Sequence, residues 1–216
     1  MKRNLLFLAI MLGWGVMVNS QSLFTEYYTL DSTFADNNVY GVSDLDADVW
    51  NNSIYLALNV RHKDFPTFDE NFYHIVFSAF RKGQLEYDTI ESYSRWYDRQ
   101  TKVLLKMDAN GDPWVFYKRA TDDFNHVLFA WHRVEGTWQS FTLDYDVVVN
   151  PILVETSDNS LMVIYGADHD GITLTAATWN GNSWTFEPIL NDQDRIWGFS
   201  HLSAVKNQDG TYFAVS

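Results

Sequence analysis

Several short segments of the chain combine the side-chain types that bind polar ligands. In residues 95–99 and 192–197, Trp occurs together with Arg and Asp. A Trp ring offers a flat apolar face to the C–H groups of a sugar, while Arg and Asp hold hydroxyls or a carboxylate in a fixed geometry. These segments indicate binding of a glycan or a protein. The alternative is that Trp96 and Trp197 only pack inside the fold.

Eleven residues form the candidate ligand-binding set, and they share positions in short polar segments between apolar runs. They are Arg61, His62, Asp64, Trp96, Asp98, Arg99, Asp168, His169, Asp194, Arg195 and Trp197. Within this set, the Asp168-His169-Asp170 segment could bind a metal or move a proton between two carboxylates. The alternative for His169 is an exposed side chain without a role.

A glycoside hydrolase needs two carboxylates roughly 5–9.5 Å apart across the sugar. Catalysis at these segments would require such a pair. The carboxylates available for this are Asp64, Asp98, Asp168 and Asp194. The chain contains no Gly-x-Ser-x-Gly nucleophile motif and no phosphate-binding P-loop. The sequence therefore favours binding without catalysis, and a glycoside hydrolase is the alternative.

One acidic segment has the spacing of a calcium loop. Asp44, Asp46, Asp48 and Asn52 occupy positions 1, 3, 5 and 9 of such a loop. The alternative is a solvated acidic turn, because the tight-turn glycine and the closing acid are missing. Asp108, Asn110 and Asp112 match only the first half of the pattern. The only cofactor that the sequence suggests is thus a structural calcium at Asp44, Asp46, Asp48 and Asn52.

The cysteine and histidine content argues against other metal sites. The chain has no Cys, which excludes disulfides and thiolate ligands, and its six His include no His-x-x-x-His pair.

The charge balance argues against nucleic acid as a partner. Asp and Glu number 28 against 15 Lys and Arg, and this net charge of −13 argues against nucleic acid, whose phosphates require basic side chains.

The first twenty residues resemble an export signal. Lys2 and Arg3 precede an apolar run from Leu5 to Val18, and small and polar residues follow up to Gln21. This pattern predicts a signal peptide over residues 1–20 and a secreted, cell-surface or periplasmic protein; an uncleaved N-terminal anchor is the alternative. No second apolar run is long enough to span a bilayer, so we expect no transmembrane span in the mature chain.

The elements that must position these side chains repeat along the chain. Turn pairs at residues 52–53, 110–111, 159–160 and 209–210 recur about every 50 residues, and each one separates two alternating apolar runs. A further pair of runs follows, joined by a glycine turn such as Glu135-Gly136 or Asn180-Gly181. Each unit therefore contains four antiparallel strands, and almost no helix is expected.

Units of this kind predict an all-β fold, a β-propeller of four-stranded antiparallel blades, because blades around an axis bury both faces of each sheet. A β-sandwich is the alternative. The blades are expected at about residues 39–95, 101–145, 150–191 and 199–216, with residues 22–33 as a closing outer strand. Three complete blades and a partial one suggest a fragment of a larger propeller. Ligands are expected at the face that carries the loops between second and third strands, such as residues 119–123, and the connections between blades, such as residues 144–146.

Two segments resemble secreted sialidase-type propellers. Residues 108–117 look like the inner hairpin of that family, and residues 178–184 are similar to its Asp-box turn, Ser-x-Asp-x-Gly-x-x-Trp, with Asn180 in place of Asp. The resemblance implies blade architecture, with the Asp-box turns away from the ligand face. It does not imply hydrolysis, because the Phe-Arg-Ile-Pro segment of true sialidases is absent. The sequence as a whole predicts a non-catalytic propeller module that binds glycan or protein. A sialidase-like glycoside hydrolase and a calcium-braced adhesion propeller are the alternatives.

Overall fold

The alternating runs form antiparallel β-strands. The computed structural model describes residues 39–63, 71–81, 84–95, 102–121, 125–155, 160–191, 202–206 and 212–215, and within these ranges it contains fourteen strands and no helix. Sheet 1 consists of β1 (Val39–Trp50), β2 (Ser53–Lys63), β3 (Asn71–Arg81) and β4 (Gln84–Arg95). Sheet 2 consists of β5 (Lys102–Met107), β6 (Pro113–Ala120), β7 (His126–Val134) and β8 (Thr137–Asp144). Sheet 3 consists of β9 (Val147–Glu155), β10 (Leu161–Asp168), β11 (Ile172–Trp179) and β12 (Trp184–Asn191), and β13 (Ser203–Lys206) pairs with β14 (Tyr212–Val215).

Each four-stranded sheet is a simple meander in which every strand pairs with its neighbour in the chain. Two of the hairpins use two-residue turns with positive φ at both positions. These are Asn51-Asn52, with φ of 47° and 59°, and Glu135-Gly136, with φ of 50° and 81°. Such turns match the right-handed twist of the flanking strands, and they place Trp50 opposite Ser53 in the register. The expected all-β class and the four-stranded antiparallel sheets are therefore confirmed.

Sheet 2 is covered on both faces. Val115 and Tyr117 of β6 pack in a cluster with sheet 1, whereas Trp114 and Phe116 of the same strand pack with sheet 3. The first strands of successive sheets adjoin one another, β1 beside β5, β5 beside β9, and β9 beside β13. The sheets thus follow one another in chain order as stacked layers that meet along their first strands.

Some expectations fall on residues that the structure does not describe. The signal peptide over residues 1–20 and the closing strand over residues 22–33 lie outside the described residues. Among the residues that are described, no helix has the length and apolar character needed to cross a membrane.

Three aspartates join the first strands of sheets 1 and 2. Asp44, Asp46 and Asp48, here called the aspartate ladder, lie at alternate positions of β1. Their carboxylates accept hydrogen bonds from the backbone N–H groups of β5, at 2.6 Å for Val103, 2.9 Å for Leu105 and 2.8 Å for Met107. These N–H groups belong to the edge of β5 that does not pair with β6. The ladder therefore satisfies a strand edge that would otherwise present bare donors.

We predict that Asp46→Ala lowers the free energy of unfolding by about 1–3 kcal/mol, because it leaves the Leu105 N–H without its charged acceptor. Asp46→Asn is expected to cost less, since the amide oxygen can still accept this hydrogen bond. Urea denaturation measures both values. Asp170→Ala, at an exposed position, is the control and is expected to change stability by less than about 0.5 kcal/mol. Equal losses for Asp46→Ala and Asp170→Ala would contradict this role of the ladder.

A glycine at the β5–β6 turn contacts sheet 1. Gly111 has a φ of +86°, and a Cβ atom placed there would lie 2.5 Å from Cη2 of Trp50, which follows the aspartate ladder. Both the backbone conformation and the approach of the indole ring therefore require glycine at this position.

The two requirements can be separated with a matched variant. Gly136 has a φ of +81°, but a Cβ atom placed there would meet no atom within 4 Å, so Gly136→Ala measures the conformational cost alone, about 1–2 kcal/mol. We expect Gly111→Ala to lose about 1–3 kcal/mol more, because the methyl group displaces Trp50. Thermal and urea unfolding of the two variants give the comparison. Equal losses would show that the Trp50 contact contributes nothing.

Candidate ligand-binding face

The meander order gives the stacked sheets two chemically different ends. The second strands (β2, β6 and β10) and the fourth strands (β4, β8 and β12) end at one end of the stack, and this end is called the loop face. The opposite end carries the β1–β2, β3–β4 and other tight hairpins and is called the hairpin end. Four of the ligand-binding candidates are described near the loop face: Arg61 and His62 close to the end of β2, Asp168 at the end of β10, and His169 directly after it.

At the junction of sheets 1 and 2, the loop face contains a clamped arginine. Arg119, near the end of β6, binds Glu91 of β4 through two hydrogen bonds, Nε to Oε2 at 3.1 Å and Nη2 to Oε1 at 2.8 Å. Its guanidinium lies between the rings of Tyr93 and Phe129, 5.0 and 4.9 Å from their centroids. Distances below about 6 Å permit cation–π attraction, so charge and aromatic stacking hold the same group.

The buried Tyr117 hydroxyl and the partly buried Trp131 indole extend this cluster. Tyr117 donates its hydroxyl hydrogen bond to Glu91 Oε2, and Trp131 Nε1 donates to the Tyr117 oxygen at 2.8 Å. Burial raises the pKa of Tyr117 well above its usual value, and the charge of Glu91 adds to the shift. Burial is the largest single influence on the pKa of Arg119 and would lower it, but the hydrogen bonds to Glu91 and the charges of Glu91 and of the two tyrosines together raise it. The group is thus a fixed ion pair that ties sheet 1 to sheet 2.

At the junction of sheets 2 and 3, the loop face is more open. His169 Nε2 lies 2.8 Å from Asp144 Oδ1, which also accepts the Tyr145 backbone N–H at 2.8 Å. The His169 side chain is 52% exposed and Asp144 only 18%. Tyr145 is itself 59% exposed. An exposed imidazole therefore contacts a half-buried carboxylate, and an exposed aromatic residue follows that carboxylate in the chain.

The backbone around this group is braced locally. The Asp168 N–H donates to the carbonyl of Asp146 at 3.0 Å, and Asp168 Oδ1 accepts the N–H of Gly171 at 3.1 Å. Behind the group, Tyr165 is buried, and burial together with the nearby charge of Asp144 raises its pKa well above the usual value. The β8–β9 and β10–β11 connections are thus held against each other beside His169.

The structure describes only some of the eleven candidate ligand-binding residues. Asp168, the last residue of β10, and His169, in the β10–β11 connection, lie exposed on the loop face. Arg61 and His62 lie near the end of β2, opposite Tyr73 and Phe72 of β3, and their side chains are outside the description. The remaining candidates are outside the described residues: Asp64, Trp96, Asp98, Arg99, Asp194, Arg195 and Trp197.

The candidate calcium residues lie in and after a strand. Asp44, Asp46 and Asp48 belong to β1 and bind the β5 backbone, and Asn52 is the second residue of the β1–β2 turn, near the hairpin end. Successive side chains of a strand point to opposite faces, so the three aspartates, which are two residues apart, lie on the same face of β1. The calcium assignment itself stays a prediction.

Three residues of the loop face were not singled out from the sequence: Glu91, Tyr93 and Tyr117. No local motif marks them, since each lies inside an alternating strand where an acid or a tyrosine is ordinary. One signal was available, because Tyr117 and Tyr165 occupy corresponding positions in the second strands of sheets 2 and 3. Each approaches an acid from the fourth strand of the preceding sheet, Glu91 or Asp144.

Neither a family model nor a curated protein matches this chain. The resemblance to sialidase-type propellers therefore depends on the turn motifs alone and stays a prediction. In the β11–β12 turn, Asn180 Oδ1 accepts the N–H groups of Asn182 and Ser183 at 3.0 and 2.9 Å. This side chain braces the turn at the position where the Asp-box pattern has its Asp.

The buried tyrosines predict a loss of stability at alkaline pH. Above a pH of about 10 the unfolded chain releases its phenolic protons, whereas folded Tyr117, with its raised pKa, keeps its proton. The folded state then binds more protons, so the free energy of unfolding falls as the pH rises. Tyr117→Phe should reduce this slope by up to about 1.4 kcal/mol per pH unit. Denaturant titrations at several alkaline pH values measure the slope, and a slope equal to wild type would contradict the assignment.

Proposed function

We propose that the sheets are consecutive blades of a β-propeller. A two-layer sandwich leaves one side of each sheet to solvent, whereas sheet 2 has large apolar residues covered on both sides. The adjoining first strands correspond to the inner strands of blades around an axis. Leu45 and Val49, on the side of β1 opposite the aspartate ladder, are 43% and 56% exposed, and a further blade would cover them.

We further propose that this chain binds a glycan through its loop face and does not catalyse a reaction on it. The observation that carries the proposal is the exposed Tyr145 beside the His169–Asp144 pair. The tyrosine ring suits the C–H face of a sugar, and the imidazole and carboxylate suit its hydroxyl groups. The predicted export signal at residues 1–20 is consistent with a ligand outside the cell.

The local charge narrows the class of glycan. Asp168 and Asp170 flank His169, and Asp144 lies behind it, so carboxylates surround the proposed contact. Such a surface repels anionic sugars and favours neutral ones. The clamped Arg119 does not offset this charge, because Glu91 already binds it. We therefore propose a neutral oligosaccharide as the ligand.

We predict that Tyr145→Ala weakens binding of a neutral oligosaccharide by about two- to tenfold, because loss of one aromatic contact costs roughly 0.5–1.5 kcal/mol. His169→Ala should weaken it as well by removing a hydrogen-bonding group. The measurement is calorimetry with the best binder from an immobilised panel of neutral, acidic and amino oligosaccharides. The matched control is Tyr87→Ala, a tyrosine 41% exposed near the start of β4 at the hairpin end, which should leave affinity unchanged.

Other outcomes would replace the proposal with one of its alternatives. Turnover of an aryl-glycoside panel by the purified chain would identify a glycoside hydrolase. Binding of a protein but of no sugar in the panel would identify a protein ligand. Equal losses in Tyr145→Ala and Tyr87→Ala would remove the loop face as the binding site.

A further inference from the structure

A second cluster of polar side chains lies at the hairpin end, away from the loop face. It consists of Asp108 and Asp112, which begin and end the β5–β6 turn, and His132 near the end of β7. One ligand atom from each residue lies within 4.8 Å of the other two. All three residues are half-buried. In the described part of the chain, this is the one group of three or more such residues with this geometry.

The turn holds one carboxylate in a fixed orientation. Asp108 Oδ1 accepts the backbone N–H groups of Asn110 and Asp112, at 2.8 and 2.9 Å. The backbone of Asp108 is also fixed, since its N–H donates to the Asp112 carbonyl at 3.0 Å and its carbonyl accepts from Gly111 at 3.1 Å. With Oδ1 engaged in this way, Oδ2 is the oxygen that faces His132. Outer hydrogen bonds of this kind are what orient a carboxylate in a metal site.

The imidazole is fixed by stacking. The His132 ring lies 3.9 Å from the Trp114 ring, centroid to centroid, and the two planes differ by 9°. The His132 side chain is 12% exposed. Burial lowers the pKa of His132 below its usual value, against the opposing charges of Asp108 and Asp112. The Trp114 ring thus holds an imidazole that is largely removed from solvent.

One atom of the cluster has only a long contact with its partner. His132 Nε2 is fully buried, yet among the described residues it forms no hydrogen bond, although Asp108 Oδ2 lies 3.4 Å away. A charge-assisted hydrogen bond between these groups would be about 2.7–2.9 Å long. Leaving a buried polar nitrogen unpaired is costly, so an occupant between the two atoms would remove a penalty.

The 3.4 Å separation of His132 Nε2 and Asp108 Oδ2 fits an ion that both atoms bind. In a tetrahedral zinc site with bonds of about 2.0–2.1 Å, neighbouring ligand atoms lie about 3.3–3.4 Å apart. Calcium and magnesium prefer oxygen ligands only, whereas imidazole combined with carboxylate suits zinc and its neighbours among the transition metals. Two carboxylates also balance the charge of a divalent cation.

We propose that Asp108, Asp112 and His132 bind a zinc ion that braces the β5–β6 turn against β7, with solvent as the fourth ligand. Local sequence spacing does not show this site, because His132 comes from the next hairpin. The site is independent of the proposed glycan-binding face, which lies at the other end of the sheets.

The test is calorimetric titration of the full chain with ZnCl2 after treatment with a chelator, together with thermal unfolding. We expect one equivalent of zinc to bind and to raise the melting temperature, and Co2+ in its place to give the visible absorption of a tetrahedral site. Asp112→Asn and His132→Gln should each weaken zinc binding by more than the roughly 10–100-fold that loss of an outer partner costs. His74→Gln, a histidine on β3 outside the cluster, is the matched control and should bind zinc as wild type does.

Several results would overturn the proposal. These are the absence of saturable zinc binding, equal affinity in Asp112→Asn and wild type, and a stabilisation by CaCl2 that ZnCl2 does not produce. Circular dichroism shows whether each variant folds, and Asp112→Asn keeps the test decisive if His132→Gln does not. Loss of zinc binding with intact oligosaccharide binding, or the reverse, separates this proposal from the glycan proposal.

Discussion

Strand β6 carries large side chains on both faces, and a sheet with two apolar faces must be covered on both sides. Trp114 and Phe116 point to sheet 3, while Val115 and Tyr117 point to sheet 1. Burial of each such side chain stabilises the fold by about 1.5–3 kcal/mol, so exposing the two on either face would cost roughly 3–6 kcal/mol, a large part of the about 5–15 kcal/mol that stabilises a typical domain. This constraint makes sheet 2 an inner layer, and the positions of its neighbours follow from it.

Covering both faces brings the first strands of successive sheets side by side, and this creates a second problem. The edge of β5 that faces β1 has N–H groups and no strand to pair with. The aspartate ladder solves it, because Asp44, Asp46 and Asp48 replace the carbonyl oxygens of a missing strand. Lys102 and Lys106 lie close to Asp44 and Asp48, at 3.2 and 3.5 Å, and partly offset the concentrated charge. Part of the acidic excess of the chain is thereby used in holding the layers together.

The two ends of the layers serve different chemistry. At the loop face, one junction is closed by the Arg119–Glu91 pair, and the next presents Tyr145 and His169 to solvent. At the hairpin end, short turns bring Asp108 against His132, while Gly111 allows Trp50 to cover the same turn. Because the sheets hold the two ends apart, the ligand proposed at one end and the ion proposed at the other would bind independently.

Local features of the chain were enough to predict the strands, the turns and the four-stranded units. Side-chain alternation and turn residues such as Glu135-Gly136 and Asn180-Gly181 act within a few residues, and they are visible in any one segment. The contacts between sheets were not predictable in this way. The aspartates of β1 have the spacing of a calcium loop, and their partners lie 59 residues further along the chain. Likewise, His132 meets Asp108 only after β6 and β7 have paired. These contacts were decided by which faces pack together, a property of the assembled layers that no single segment carries.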